Sequence, residues 1–320
     1  MRKHYLLNNH YSNDIPQCTS SLYSQDTPCQ YTDQGLSYSS GSNTFKYVEF
    51  ISCSASYDHG GAIKCTGGTL EVLSSLFSSC TANNNNGGAI YAYSLSLLFI
   101  TNTLFHSCGG SYDVISGGAI ALSYVSSMRI YENYFLKCYS ADDSGAIDMR
   151  DCGTEQNELP IQSSCFIKCE CFYGDGPSAG ALEGRGNNCG YFSSALFSNC
   201  KSDVGGALFL DPSFYINSIC FSLFTGNSAT DDQGMDVYIR DNFNQVNIFF
   251  YSFSTTSSIQ VFDEATWEYK PGRLPQGIVT CAQERYHCDR QNNKHNHTLI
   301  FISYSLNRHL LRHSLFRPHR

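Results

Sequence analysis

Charge is scarce in this chain: only 15% of its 320 residues are charged, whereas Ser, Asn, Gly and Tyr are abundant. That balance argues against a helical bundle and for many short strands joined by turns. Basic side chains are scarcest in the body, where residues 1–262 carry 23 acidic against 11 basic groups, net −12. An acidic body excludes nucleic acid as a partner. No run approaches the ~20 apolar residues of a membrane span. The longest such stretch in the tail, 299–306, is too short and holds two serines. Met1-Arg2-Lys3-His4-Tyr5-Leu6-Leu7 gives way to polar residues, so no signal-peptide core is visible. Two expectations remain open, a cytosolic protein or a piece of a longer one that carries the targeting and anchoring ends.

What is present is repetition. Phe50, Phe77, Phe105, Phe135, Phe166, Phe197, Phe224 and Phe253 follow one another at spacings of 27, 28, 30, 31, 31, 27 and 29 residues. Three places after the first six stand Cys53, Cys80, Cys108, Cys138, Cys169 and Cys200, then Asn227 and Thr256. Five places before each is Phe45, Val72, Ile100, Ile130, Ile161, Phe192, Ile219 or Ile248. A Gly-Gly-Ala step recurs at Gly60, Gly87, Gly117 and Gly205, and is eroded to Ser144-Gly145-Ala146, Ala179-Gly180-Ala181 and Gln233-Gly234-Met235. Such a period denotes a stacked solenoid. After the glycines, apolar residues alternate, as in Ile90 and Ala92 or Ile147 and Met149, which predicts a strand with one face buried and one free. Two more short strands, through the aliphatic residue and through the Phe, complete each unit.

The reading is therefore all-β: a right-handed parallel β-helix of about eight rungs, 27–31 residues each, over residues 45–262. Residues 1–44 are polar, and part of them is expected to cap the first rung, because an open sheet edge invites association. Residues 263–320 carry 9 basic and 5 acidic groups and the only Trp, Trp267; a cap over 263–280 and a basic, largely unstructured tail are expected there. A monomer is expected.

Paired Gly-Gly-Ala-Ile and Phe-x-x-Asn motifs, the latter kept as Phe224-Thr225-Gly226-Asn227, resemble those of chlamydial polymorphic outer-membrane proteins. The Cys-bearing copies resemble the related surface proteins of trichomonad parasites. The resemblance covers residues 45 to about 262. It implies a right-handed, pectin-lyase-like β-helix, display at the cell surface and a role in adhesion, with a host protein or glycan as partner.

The in-register Cys row falls within disulfide reach, but parallel side chains aim the same way, so buried reduced thiols are expected rather than bridges. A row also suits a metal poorly, because tetrahedral sites need converging ligands. Cys165, Cys171, Cys189 and Cys220 stand off the row, open to lateral disulfides; Cys18 and Cys29 would staple the N-terminal segment only under oxidising conditions. Asp148-Met149-Arg150 and Glu183-Gly184-Arg185 occupy equivalent outward places in consecutive units, and Asp211 falls in register with the arginines. These five would serve a polysaccharide lyase or glycoside hydrolase, in which paired carboxylates flank the scissile bond, or else form an exposed salt-bridge ladder. Asp142-Asp143 and Asp231-Asp232 read as solvated turn residues. Cys281, His287, Cys288, His295 and His297 match no zinc module in spacing, so neither metal nor cofactor is expected. Asn296-His297-Thr298 is a glycosylation sequon if the chain is exported, and 306–320 would form a short basic amphipathic helix on anionic lipid. The favoured function is a non-enzymatic binding module displayed on a surface.

Overall fold

The computed structural model describes residues 29–271 except 56–57, 84, 111–115, 154–158, 173–177, 187–188, 194, 212–214, 221, 231–233, 235, 242–258 and 264–267. Among the described residues the chain is strand and turn throughout, wound as a parallel β-solenoid. One unit shows the plan. Gly87-Gly88-Ala89 leads into strand Ile90–Tyr93, followed by Leu97–Thr101 and Leu104–His106. Each strand pairs in parallel with its equivalent one turn on, matching Ile90 with Ile120, Ile100 with Ile130 and Phe105 with Phe135. The result is a glycine-led, an aliphatic and a phenylalanine sheet of ten, seven and nine strands, with a four-stranded corner sheet beside them.

The seven strands of the aliphatic sheet bound about six full turns, against the eight rungs expected. The eighth copy, at Phe253, lies outside the described residues, as do Asp231-Asp232, Cys18 and the tail beyond 271. Pairing begins ahead of Phe45. Strand Cys29–Gln34 lies parallel to Val48–Ala55, and Tyr31 stacks on Phe50 at 5.0 Å between ring centroids. Near the other end, Glu268–Pro271 pairs antiparallel with Ile259–Asp263.

Sharp corners come from single residues in the left-handed region. Ser52, Ser79, Ser107, Lys137, Lys168 and Asn199, each just before a row cysteine, have φ of 51–54°. Tyr47, Ser74, Asn102, Glu132 and Ser163 do the same after the aliphatic strand. At the glycine step the constraint is steric: a Cβ on Gly61 would sit 2.3 Å from the carbonyl oxygens of Gly88 and Thr81. Only glycine lets the chains approach so closely.

Inside, rings from Phe50 to Phe224 pile up at 4.7–4.9 Å with planes within 10°. The row cysteines are fully buried beside them. A second ladder of buried polar side chains runs up the corner between the aliphatic and phenylalanine sheets. Val48 N donates to Ser75 Oγ, Ser75 N to Thr103 Oγ1, Thr103 N to Asn133 Oδ1, and Asn133 N to Ser164 Oγ. Those bonds satisfy corner amides that the sheets leave unpaired.

Two expectations need correction. In the glycine-led sheet the outward position is not a free face, since Ala121, Asp148, Glu183, Phe209 and Tyr238 are all buried there. His59 and Val204, each four places before a leading aliphatic, fold over this face: His59 stacks on Tyr91 at 4.2 Å, and Val204 packs with Phe209 and Tyr238. The last glycine step is also displaced by one residue. Leu208 pairs with Val237, so the step is Gly234-Met235-Asp236, with Gly234 at φ 59°.

Candidate binding face

Parallel pairing brings the sequence candidates together. Asp148 lies opposite Glu183 and Arg150 opposite Arg185, while Asp211 N donates to Gly184 O at 2.9 Å, extending the register by one rung. Arg150 Nε donates to Asp148 Oδ2 at 3.0 Å, and Arg185 Nε donates to Glu183 Oε1. Asp143 joins them. Its Oδ1 accepts from Arg185 Nη2 at 2.6 Å, and its Oδ2 accepts from Arg150 Nη2.

Asp143 is thus no solvated turn residue: it is 3% exposed and bridges two guanidiniums. It occupies the covering position, equivalent to His59, Asn86 and Ser116, which explains its burial. Nor is the cluster an exposed ladder. Side chains of Asp148 and Glu183 are 2% and 0% exposed, against 35% and 34% for Arg150 and Arg185.

Three carboxyl groups thus face two guanidiniums in a covered site. Burial, reinforced by the Asp148 carboxylate and opposed by both arginines, pushes Asp143 up to about 7. Burial likewise raises Asp148, and holds Glu183 well above the usual carboxylate range. Asp148 Oδ1 and Glu183 Oε2 have no hydrogen-bond donor. Both acids lie beneath their arginines, so in this structure the guanidiniums and not the carboxyl groups face solvent.

The residues that do reach solvent form a column two places further along each strand. Tyr93 pairs with Ser123, Ser123 with Arg150, and Arg150 with Arg185, with Asp211 next. Tyr93 is 41% exposed, and Tyr124, at the corner beside it, is 53% exposed. Tyr91 and Tyr93 hold their rings 6.5 Å apart with planes 11° from parallel, and Tyr93 meets Tyr124 edge-on at 5.5 Å. Tyr93 and Tyr124 escaped the sequence reading, although the alternation that singled out Arg150 and Arg185 also marks Tyr93.

All ten described cysteines with assigned burial, Cys165 and Cys171 included, are free thiols. Among the described residues no group of His, Cys, Asp and Glu is placed to hold a metal ion, and no helix is long and apolar enough to cross a membrane. The histidines and cysteines of the tail lie outside the described residues. No protein-family model, curated protein or solved structure matches the chain.

Proposed function

We propose that this protein is a non-enzymatic binding module, displayed at a cell surface, that recognises a protein or glycan through the exposed column of its glycine-led sheet. One observation carries the reading: Tyr93, Tyr124, Arg150 and Arg185 are gathered on one solvent-reaching face. Tyrosine and arginine are the side chains that most often dominate binding energy. Stacked parallel strands hold them on a rigid support, which lowers the entropy lost on association. The likeness of the repeat to polymorphic outer-membrane proteins supports the surface placement.

Two measurements test this. Surface labelling of intact cells is expected to tag the full-length polypeptide, and labelling only after lysis would refute display. A panel of glycans incubated with the protein is expected to yield no cleavage; turnover that disappears in Glu183→Gln and Arg185→Ala would instead establish a lyase or hydrolase.

A further inference from the structure

Resting on that reading, we propose that the exposed column binds a neutral, linear oligosaccharide laid along the solenoid axis, from Tyr93 across Ser123 to Arg150, Arg185 and Asp211. The geometry gives one ligand-facing side chain per rung. Rungs repeat at ~4.8 Å, so the column spans roughly 19 Å. That repeat is close to the length of one pyranose ring, so successive sugars would meet successive rungs.

The chemistry of the column suits sugar at each end. The exposed ring of Tyr93, with Tyr124 edge-on beside it, presents apolar surface to the C–H face of a pyranose, while Tyr91 behind it is already stacked by His59. Ser123, between Tyr93 and Arg150, is small and leaves room for a ring to lie across the sheet. Arg150, Arg185 and Asp211 then offer both donors and a carboxylate acceptor, matching hydroxyl groups that donate and accept.

Charge argues for a neutral chain. Both guanidiniums already donate to Asp143, Asp148 and Glu183 behind them, which occupies their inner N–H groups and fixes their orientation. Residues 1–262 carry a net charge of −12, which repels a polyanion. The arginines thus act as fixed hydrogen-bond donors, held in place by their carboxylates, rather than as an anion trap.

The test is calorimetric titration of the full chain with neutral oligosaccharides of increasing length, and with a uronic-acid chain of matched length. Affinity is expected to climb with each added sugar until the ligand covers the column, and then to level off; the uronate is expected to bind at least tenfold more weakly. Tyr93→Ala, Tyr124→Ala and Ser123→Gln, none of which alters the buried core, are each expected to weaken binding tenfold or more while leaving the circular dichroism spectrum unchanged. Tighter binding of the uronate, or no binding of any neutral chain, overturns the inference. If a protein ligand is captured instead and Ser123→Gln releases it, the sugar is wrong but the face stands. Should Ser123→Gln and Tyr93→Ala leave all binding intact, the face itself is wrong.

Discussion

At the residue scale, the repeat owes its Cys to one hydrogen bond. Each row thiol points at the carbonyl of the ring residue one turn before it: Cys53 Sγ to Tyr31 O at 3.4 Å, Cys80 to Phe50 at 3.4 Å, Cys108 to Phe77 at 3.4 Å, Cys138 to Phe105 at 3.5 Å. Asn227 does the same work with an amide, its Nδ2 donating to Phe197 O at 3.2 Å while its Oδ1 accepts from Cys200 N at 2.9 Å. Phe-x-x-Cys and Phe-x-x-Asn are therefore two solutions to one requirement, a small donor beneath a buried carbonyl. Cys138→Asn is expected to change stability by less than about 1 kcal/mol, whereas Cys138→Val, which leaves the Phe105 carbonyl without that donor, is expected to cost about 1–3 kcal/mol in urea unfolding. The preceding residue is constrained by conformation rather than chemistry. Lys137 has φ 54°, which costs a non-glycine residue roughly 1–2 kcal/mol. Lys137→Gly should raise the unfolding free energy by about 0.5–1 kcal/mol, seen as a higher urea midpoint, after the added freedom of the unfolded chain is subtracted; an unchanged or lower midpoint would show that the corner is not strained.

At the element scale, the strands were legible and the covering of their outer face was not. Phe, Cys and aliphatic residues recur at fixed offsets because each fills the same inward site in every turn, so register follows from arithmetic. Asp143 was misjudged because turn composition says solvated, whereas only the stacked geometry shows the turn folding back over the next strand. Tyr31 was missed because it replaces Phe and lies only 19 residues before Phe50, inside a shortened turn. The misplaced step at Gly234 has a similar origin, since Met235 and Asp236 replace the Gly-Ala pair that marks the phase elsewhere. The covered acids have a measurable consequence. Asp143 is raised to about 7 from 3.8, so between those values the folded chain holds a proton that the unfolded chain has released. Stability should accordingly fall as pH rises from about 4 to 7, by up to about 1.4 kcal/mol per pH unit for that proton, with the raised Asp148 and Glu183 adding slopes of the same sign. Denaturation midpoints across this range check it: Asp143→Asn is expected to flatten the slope, and an unchanged slope would place the proton elsewhere.

At the scale of the whole molecule, each turn buries its ring, thiol and aliphatic side chain only against its neighbours, so order is propagated from rung to rung rather than gathered in a globular core. The same uniformity leaves few places for distinctive chemistry, and the proposed binding relies on the residues that depart from the repeat on an exposed column. Both conclusions rest on the row cysteines pointing into the coil. Burial holds the thiols of Cys108, Cys138 and Cys200 well above the ordinary range, which keeps them protonated and unreactive. The most direct test is site-resolved alkylation of the native protein, read by peptide mass spectrometry. Cys53, Cys80, Cys108, Cys138, Cys169 and Cys200 are predicted to stay unlabelled until denaturant unfolds the chain, and then to label together as free thiols. Rapid labelling of Cys108 or Cys138 in the native state, or their recovery as disulfides, would contradict the stacked coil and the binding face built on it.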